Sequence, residues 1–214
     1  MNESYYRTYD KKGKFIRNVP SHAIKTDLAT TEFLRGVSCF VIQGDKLIFE
    51  VRADNVDAGG RFDFCSGKVA ENESPEQAII RELCEEYGIS KDLAENVVEL
   101  NTYPIIFDSY PANMRNFIIT FYYLYIHENI KFAKQESEVE KFVGMQINKS
   151  LNFIRKSGKT KFPYTANTEK TLTKLVCHLY MDGILTTEQA NSLILPLEAR
   201  PREKQNFGSS TDPV

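Results

Sequence analysis

The sequence predicts an α+β fold, and three observations carry that prediction. Runs rich in Val, Ile, Tyr, Phe and Thr, separated by turn residues, fill the stretch from Leu34 to about Met145. One strongly signalled helix, over 74–88, interrupts them. After Lys149 the apolar residues switch to helical spacing. The 214 residues, at roughly 150 per domain, predict one domain with room for a small appendage. Hydrophobic residues make up 42% and charged residues 26% of the chain, which excludes a disordered, collagen-like or coiled-coil protein.

Composition shifts divide the chain into four parts. Residues 1–33 are polar and aromatic, with a turn at Asp10, Lys11, Lys12 and Gly13 between two extended pieces, a leading hairpin. Residues 34–149 form the main domain. Within it, Gly36 to Ile42 and Lys46 to Arg52 flank Gly44 and Asp45 as a second hairpin, and Val97 to Ile106 and Phe117 to Ile126 are further strands. Residues 150–198 form a helical extension. There Leu151, Ile154 and Arg155 suggest a short helix, and Leu172, Leu175, Val176 and Leu179 mark a helix over Thr168 to Tyr180. A last helix begins at Thr186, Thr187, Glu188 and Gln189, with Ala190, Leu193 and Ile194 as its buried stripe. These two helices are expected as an appendage, followed by a disordered tail over 199–214.

Lys plus Arg number 27 against 29 Asp plus Glu, a net charge of −2. That balance lacks the positive field that a nucleic-acid polymer or a membrane surface requires. The longest apolar runs, such as Phe117 to Ile126, fall far short of the ~20 residues of a spanning helix. The start, Met1, Asn2, Glu3, Ser4, has neither a basic region nor an apolar core, so no secretory signal is expected and the cytoplasm is the expected location. Cys39, Cys65, Cys84 and Cys177 show no metal-ligand spacing and are expected as reduced, small buried hydrophobes.

The helix over 74–88 has the sharpest local signal. Ser74 is its N-cap, Pro75 its first helical residue, Gln77 closes a capping box, and Gly88 ends it in a left-handed residue. Ala78, Ile79 and Leu83 form its apolar face. Glu82, Glu85 and Glu86 fall on one side at i, i+3 and i+4, where they repel unless a cation sits among them. Arg81 pairs with Glu85 but cannot neutralise three acids. Such a cluster suits Mg2+ or Mn2+, although a glutamate-rich helix by itself is more often a solvated face. Upstream, the loop Gly67, Lys68, Val69, Ala70, Glu71, Asn72, Glu73 adds a glycine whose backbone can approach a ligand closely.

Read as Gly67, five residues, Glu73, seven residues, Arg81, Glu82, Leu83, one residue, Glu85, Glu86, one residue, Gly88, Ile89, this stretch resembles a complete Nudix box. The resemblance implies the Nudix fold, a mixed β-sheet packed between helices. Here that fold would carry an N-terminal hairpin and a C-terminal helical extension. It also implies water attack on a phosphorus of a nucleoside diphosphate linked to another group, with bound Mg2+ or Mn2+ screening the phosphates. By motif position Glu85 and Glu86 would be metal ligands, Glu82 a ligand or the orienting base, and the Ser66 carbonyl a backbone ligand. Glu82 and Glu86 are thus the catalytic candidates in the box. Glu73 and Arg81 would hold loop to helix, with Gly67 and Gly88 as structural positions.

Where the family often has a proline and two glycines, this chain has Phe64, Cys65, Ser66, Gly67. Cys65 opens an alternative, since isopentenyl diphosphate isomerases share the fold and use a cysteine near this point. They usually have a degenerate box, whereas every acid is kept here, so Cys65 is expected to face the core. Retention of the acids also weighs against a binding module without catalysis.

The resemblance implies a small nucleotide as partner, with a homodimer left open. In the family a proline about fifteen residues past the box accompanies ADP-ribose pyrophosphatases, and Pro104 is fifteen residues after Ile89. Prolines also simply end strands. ADP-ribose or a nucleotide sugar is therefore the expected substrate, with nucleoside triphosphates or oxidised nucleotides as the alternative. Arg52, Tyr110 and Arg115 are candidate substrate-binding residues, the latter two in the loop Phe107 to Arg115. Many family members supply a further acid from a later segment, and Glu136 and Glu138 are the candidates here.

Overall fold

The computed structural model describes residues 4–56, 59–105, 116–127, 129–161 and 168–194. The chain opens on a hairpin of β1 (Tyr5–Tyr9) and β2 (Phe15–Pro20). Its turn is closed by Asp10, whose Oδ1 accepts from the backbone N–H groups of Lys12 and Lys14, both at 2.9 Å. After a short helix α1 (Ile24–Asp27) comes β3 (Phe33–Gln43), the strand on which the sheet is built. Gly44, at φ 59°, turns β3 into β4 (Lys46–Arg52), the second hairpin expected from Gly44 and Asp45.

The chain continues through β5 (Phe62–Asp63), β6 (Cys65–Lys68), α2 (Pro75–Tyr87), α3 (Lys91–Ala94), β7 (Val98–Ile105), β8 (Asn116–Ile126) and β9 (Val139–Gln146). It then turns helical, with α4 (Ile147–Lys161), α5 (Thr168–Met181) and α6 (Thr187–Leu193). The sheet is mixed. β3 runs parallel to β8 along its whole length, from Phe33 opposite Asn116 to Gln43 opposite Ile126. Its other edge is shared by β1, β6 and β4, all antiparallel. β9 pairs β4 and β7 pairs β8.

Both faces of this sheet are covered, as the unbroken apolar run Cys39, Phe40, Val41, Ile42 requires. Val37, Cys39 and Val41 join Ala78, Ile79, Leu83 and Tyr87 of α2 in one core. Phe40 and Ile42, pointing the other way, join Leu151, Ile154, Leu172, Leu175, Val176 and Leu179 in a second. The C-terminal helices are therefore not an appendage; they close the second face of the sheet. Polar bonds pin them there: the Tyr123 hydroxyl to the Asp182 carboxylate, and Lys174 Nζ to the Leu100 carbonyl at 3.0 Å.

Three smaller expectations are corrected. The short helix at Leu151 is a helix of 15 residues. Ile194 is the C-cap of α6 and is exposed, because the helix stops before its side chain can complete the buried stripe. All four cysteines are free, but Cys177 is exposed, and Cys84 is half-buried at the margin of the core under α2. The expected tail over 199–214 lies outside the described residues.

Candidate active site

The site is built by β6, the loop after it and α2. Ser74 caps α2 as its sequence implies: its hydroxyl accepts from the Gln77 N–H at 3.1 Å while the Gln77 side chain accepts from the Ser74 N–H at 2.8 Å. Gly88, at φ 64°, ends the helix and donates its N–H to the Leu83 carbonyl. Between these ends Glu82, Glu85 and Glu86 share one side, but they differ in depth. Glu86 is buried, Glu82 half-buried and Glu85 exposed.

Arg81 organises the outer half. Its guanidinium grips Glu73 with two bonds, Nε to Oε1 at 2.9 Å and Nη2 to Oε2 at 3.1 Å, and Nη2 also donates to the Lys68 carbonyl. Nη1 reaches Glu82 at 2.7 Å and Glu85 at 3.1 Å. A two-point fork to Glu73 is stronger and more directional than a surface pair. Burial works against ionising Glu73, yet the Arg81 bonds and the Ala70 N–H hold its carboxyl below the usual range.

The inner half is acidic. Burial first, then the charges of Glu82 and Glu138, push the Glu86 carboxyl well above the usual range, while the Ser66 N–H and the Cys65 thiol donate to it and pull it back. Glu82 is raised by burial, opposed by Arg81 and reinforced by Glu85 and Glu138. Glu138 lies in the turn just before β9, where its carbonyl accepts from the Ala53 N–H at 2.9 Å, and its charge is among those that raise Glu82 and Glu86. Glu136 sits in the same exposed turn.

Two further acids are buried in the sheet. Glu50 and Asp63, opposite each other on β4 and β5, are each 1% exposed. Arg52 Nη1 lies 3.2 Å from Asp63 and 3.7 Å from Glu50. Arg52, expected at the substrate, is thus engaged by two buried carboxylates. Burial pushes the Asp63 carboxyl up to about 6, against the pull of Arg52 and the Phe64 N–H. Burial, Glu86 and Asp63 push Glu50 well above the usual range. Neither acid was expected from the sequence, although each interrupts an apolar run, Phe49–Glu50–Val51 and Phe62–Asp63–Phe64. A charge at a strand position flanked by core residues is the signal that could have found them.

Among the described residues no three His, Cys, Asp or Glu side chains converge closely enough to hold an ion as they stand. The donor set nonetheless fits a hard divalent cation. It consists of carboxylate oxygens whose mutual repulsion such an ion would relieve, and Glu50 Oε2 is buried without a hydrogen-bond partner. Cys65 faces the core between the sheet and α2, as expected, and burial pushes its thiol well above the ordinary range, which makes it a poor acid. Tyr110 and Arg115 lie outside the described residues.

A NUDIX domain model matches residues 32–163. Solved structures share the fold. DR0079 from Deinococcus radiodurans aligns with a TM-score of 0.56 at 15% identity, covering 71% of this chain and 89% of that one. A C. elegans Ap4A hydrolase in a binary complex aligns at 0.51 and 14% identity, covering 68% and 97%. The NUDIX domain of Shewanella oneidensis NrtR, complexed with ADP ribose, aligns at 0.51 and 16% identity, covering 69% and 88%. No curated protein is significantly similar to the chain.

Proposed function

The chain belongs to the NUDIX domain family, hydrolases of phosphorus-containing acid anhydrides, and on that premise we propose that it cleaves a pyrophosphate bond in a nucleoside diphosphate linked to another moiety, ADP-ribose or a nucleotide sugar. The observation that carries this is the complete set of box acids, Glu82, Glu85 and Glu86, on one side of α2, with the charge of Glu138 acting on Glu82 and Glu86.

Glu82, Glu85, Glu86 and the Ser66 carbonyl would hold Mg2+ or Mn2+, which when bound screens the phosphates and acidifies water. The chain's own residues supply the rest. Arg81 holds Glu82 and Glu85 in place and, through Glu73, locks the loop to the helix. The Ser66 N–H fixes Glu86 Oε2 at 3.3 Å. Glu138, whose charge acts on Glu82 and Glu86, would accept the proton of the attacking water, with Glu82 the other candidate.

ADP-ribose is supported by Pro104, which sits on β7 opposite Ile118, and by the ADP ribose bound to the NUDIX domain of the Shewanella protein. The nucleotide is the only partner proposed, with the cytoplasm as its location. Of the candidates for its recognition, Arg52 is engaged by Asp63 and Glu50, which leaves Tyr110 and Arg115 to meet base and phosphate. The test is turnover of ADP-ribose, nucleotide sugars, dinucleoside polyphosphates, nucleoside triphosphates and oxidised nucleotides by purified protein with Mg2+ or Mn2+. Selective release of AMP from ADP-ribose supports the proposal. Preference for triphosphates overturns the substrate assignment, and no turnover of any anhydride overturns the hydrolase assignment.

A further inference from the structure

The box acids leave unexplained a buried carboxylate on this side of the sheet, Glu50. Even-numbered residues of β4 turn toward α2: Ile48 belongs to the core that holds Ile79, Leu83 and Tyr87, and Glu50 follows one strand period later. Its neighbours along the strand, Phe49 and Val51, are buried, and across it stand Asp63 on β5 and Phe142 on β9. Glu50 Oε1 has a long ion pair, 3.7 Å to an Arg52 guanidinium that lies nearer to Asp63. Glu50 Oε2 is buried and makes no hydrogen bond, and the hydroxyl of Tyr87, on the last turn of α2, is likewise buried without a partner. The charges that act on Glu50 are Glu86, Asp63 and Glu138 against Arg52.

A carboxylate that is buried, half-unpartnered and set across the strands from a second buried acid is costly unless something positive enters beside it. Holding Arg52 does not explain it, because Asp63 does that at shorter range. We propose that Glu50 is a further acid of the divalent-cation site, presented from β4 opposite Glu86 of α2, and that Asp63, through Arg52, positions it. The proposal rests on the reading that the box acids bind a divalent cation. It adds a ligand that no box position supplies.

The experiment is Mn2+ binding to metal-free protein, followed by calorimetry and by the paramagnetic signal of free Mn2+, with thermal unfolding in chelator and in excess Mn2+ on the same samples. Glu50→Gln keeps the shape and removes the charge. It should weaken Mn2+ binding ~10- to 100-fold, leave Tm in chelator unchanged or higher, and shrink the rise in Tm that Mn2+ produces. Glu50→Asp, which keeps the charge but withdraws it by one methylene, should also weaken Mn2+ binding and serves if the Gln variant does not fold. Unchanged Mn2+ affinity with a lower Tm in chelator would make Glu50 a mere anchor for Arg52 and overturn the proposal. Loss of Mn2+ binding in Glu86→Gln but not in Glu50→Gln would leave the box reading intact and overturn this one alone. A parent protein that binds no Mn2+ would overturn both.

Discussion

A Cβ on Gly67 would lie 1.9 Å from Oε1 of Glu82, so a strand glycine and a helix carboxylate occupy one small volume. Glu82 rests on bare backbone because residue 67 has no side chain, and Arg81 holds it there at 2.7 Å. Gly67→Ala should evict the carboxylate. The atoms displaced are the far end of a flexible side chain, so stability should fall by no more than about 1 kcal/mol, the low end for overpacking. Turnover should fall ~10²-fold, as expected when a reacting group is misplaced by an ångström. Activity and Tm on one preparation check this; turnover near that of the parent would detach Glu82 from the chemistry.

Glu86→Gln removes a buried charge, so in chelator the variant should be at least as stable as its parent while turnover drops ~10²-fold or more. The same burial sets a pH dependence. Asp63 is raised from 3.8 to about 6, and Glu50 and Glu86 lie well above 4.5. A carboxyl raised on folding binds its proton better in the folded state, so its contribution is present below the unfolded value and is lost as pH rises through the folded one. The stability of the chelated protein should therefore decline across the 3.8 to about 6 interval of Asp63 and beyond it. Glu86→Gln should lessen the decline. Denaturation midpoints measured across pH test this, and stability rising over that window would contradict it.

The two late acids should separate. Glu138→Gln should lower turnover ~10²- to 10⁴-fold, the contribution of a general base, with thermal stability nearly unchanged. Glu136→Gln should leave turnover close to that of the parent. Steady-state kinetics from pH 6 to 9 decide it, and equal effects would remove Glu138 from its proposed role.

Cys65 distinguishes hydrolysis from isomerase-type acid catalysis. Because its thiol is fully buried and donates to Glu86, Cys65→Ala should cost some stability and a modest part of the rate. A folded Cys65→Ala protein without any turnover would mean the thiol acts on substrate.

Leu175→Ala, on α5 against the sheet, should destabilise the protein by ~2–5 kcal/mol, and unfolding should remain a single transition. Separate melting of the C-terminal helices would show that they do not share the core of the sheet.

Local chemistry made the box legible without any structure. A helix start needs a cap, a helix end needs a residue tolerant of positive φ, and carboxylates at i, i+3 and i+4 must share a side; Ser74, Gly88 and Glu82, Glu85 and Glu86 satisfy those conditions within a few residues of one another. The strands of the two hairpins were legible for the same reason, since Gly13 and Gly44 mark turns and the residues around them alternate or run apolar. The acids on β4 and β5 were not, because their meaning depends on what lies across the strand. Glu50 is 13 residues from Asp63 and 36 from Glu86 along the chain, and neither spacing says that they meet.

The sequence by itself determined the family pattern, the capped helix and the three carboxylates on one of its sides, because each depends on contacts within a turn or two. Tertiary structure alone decided that Glu50 and Asp63 stand opposite each other as buried acids, that Arg52 is held by both, and that the C-terminal helices are core rather than appendage. Each of those outcomes depends on strand register and on which sheet face needs cover, and both are settled only when distant segments pack.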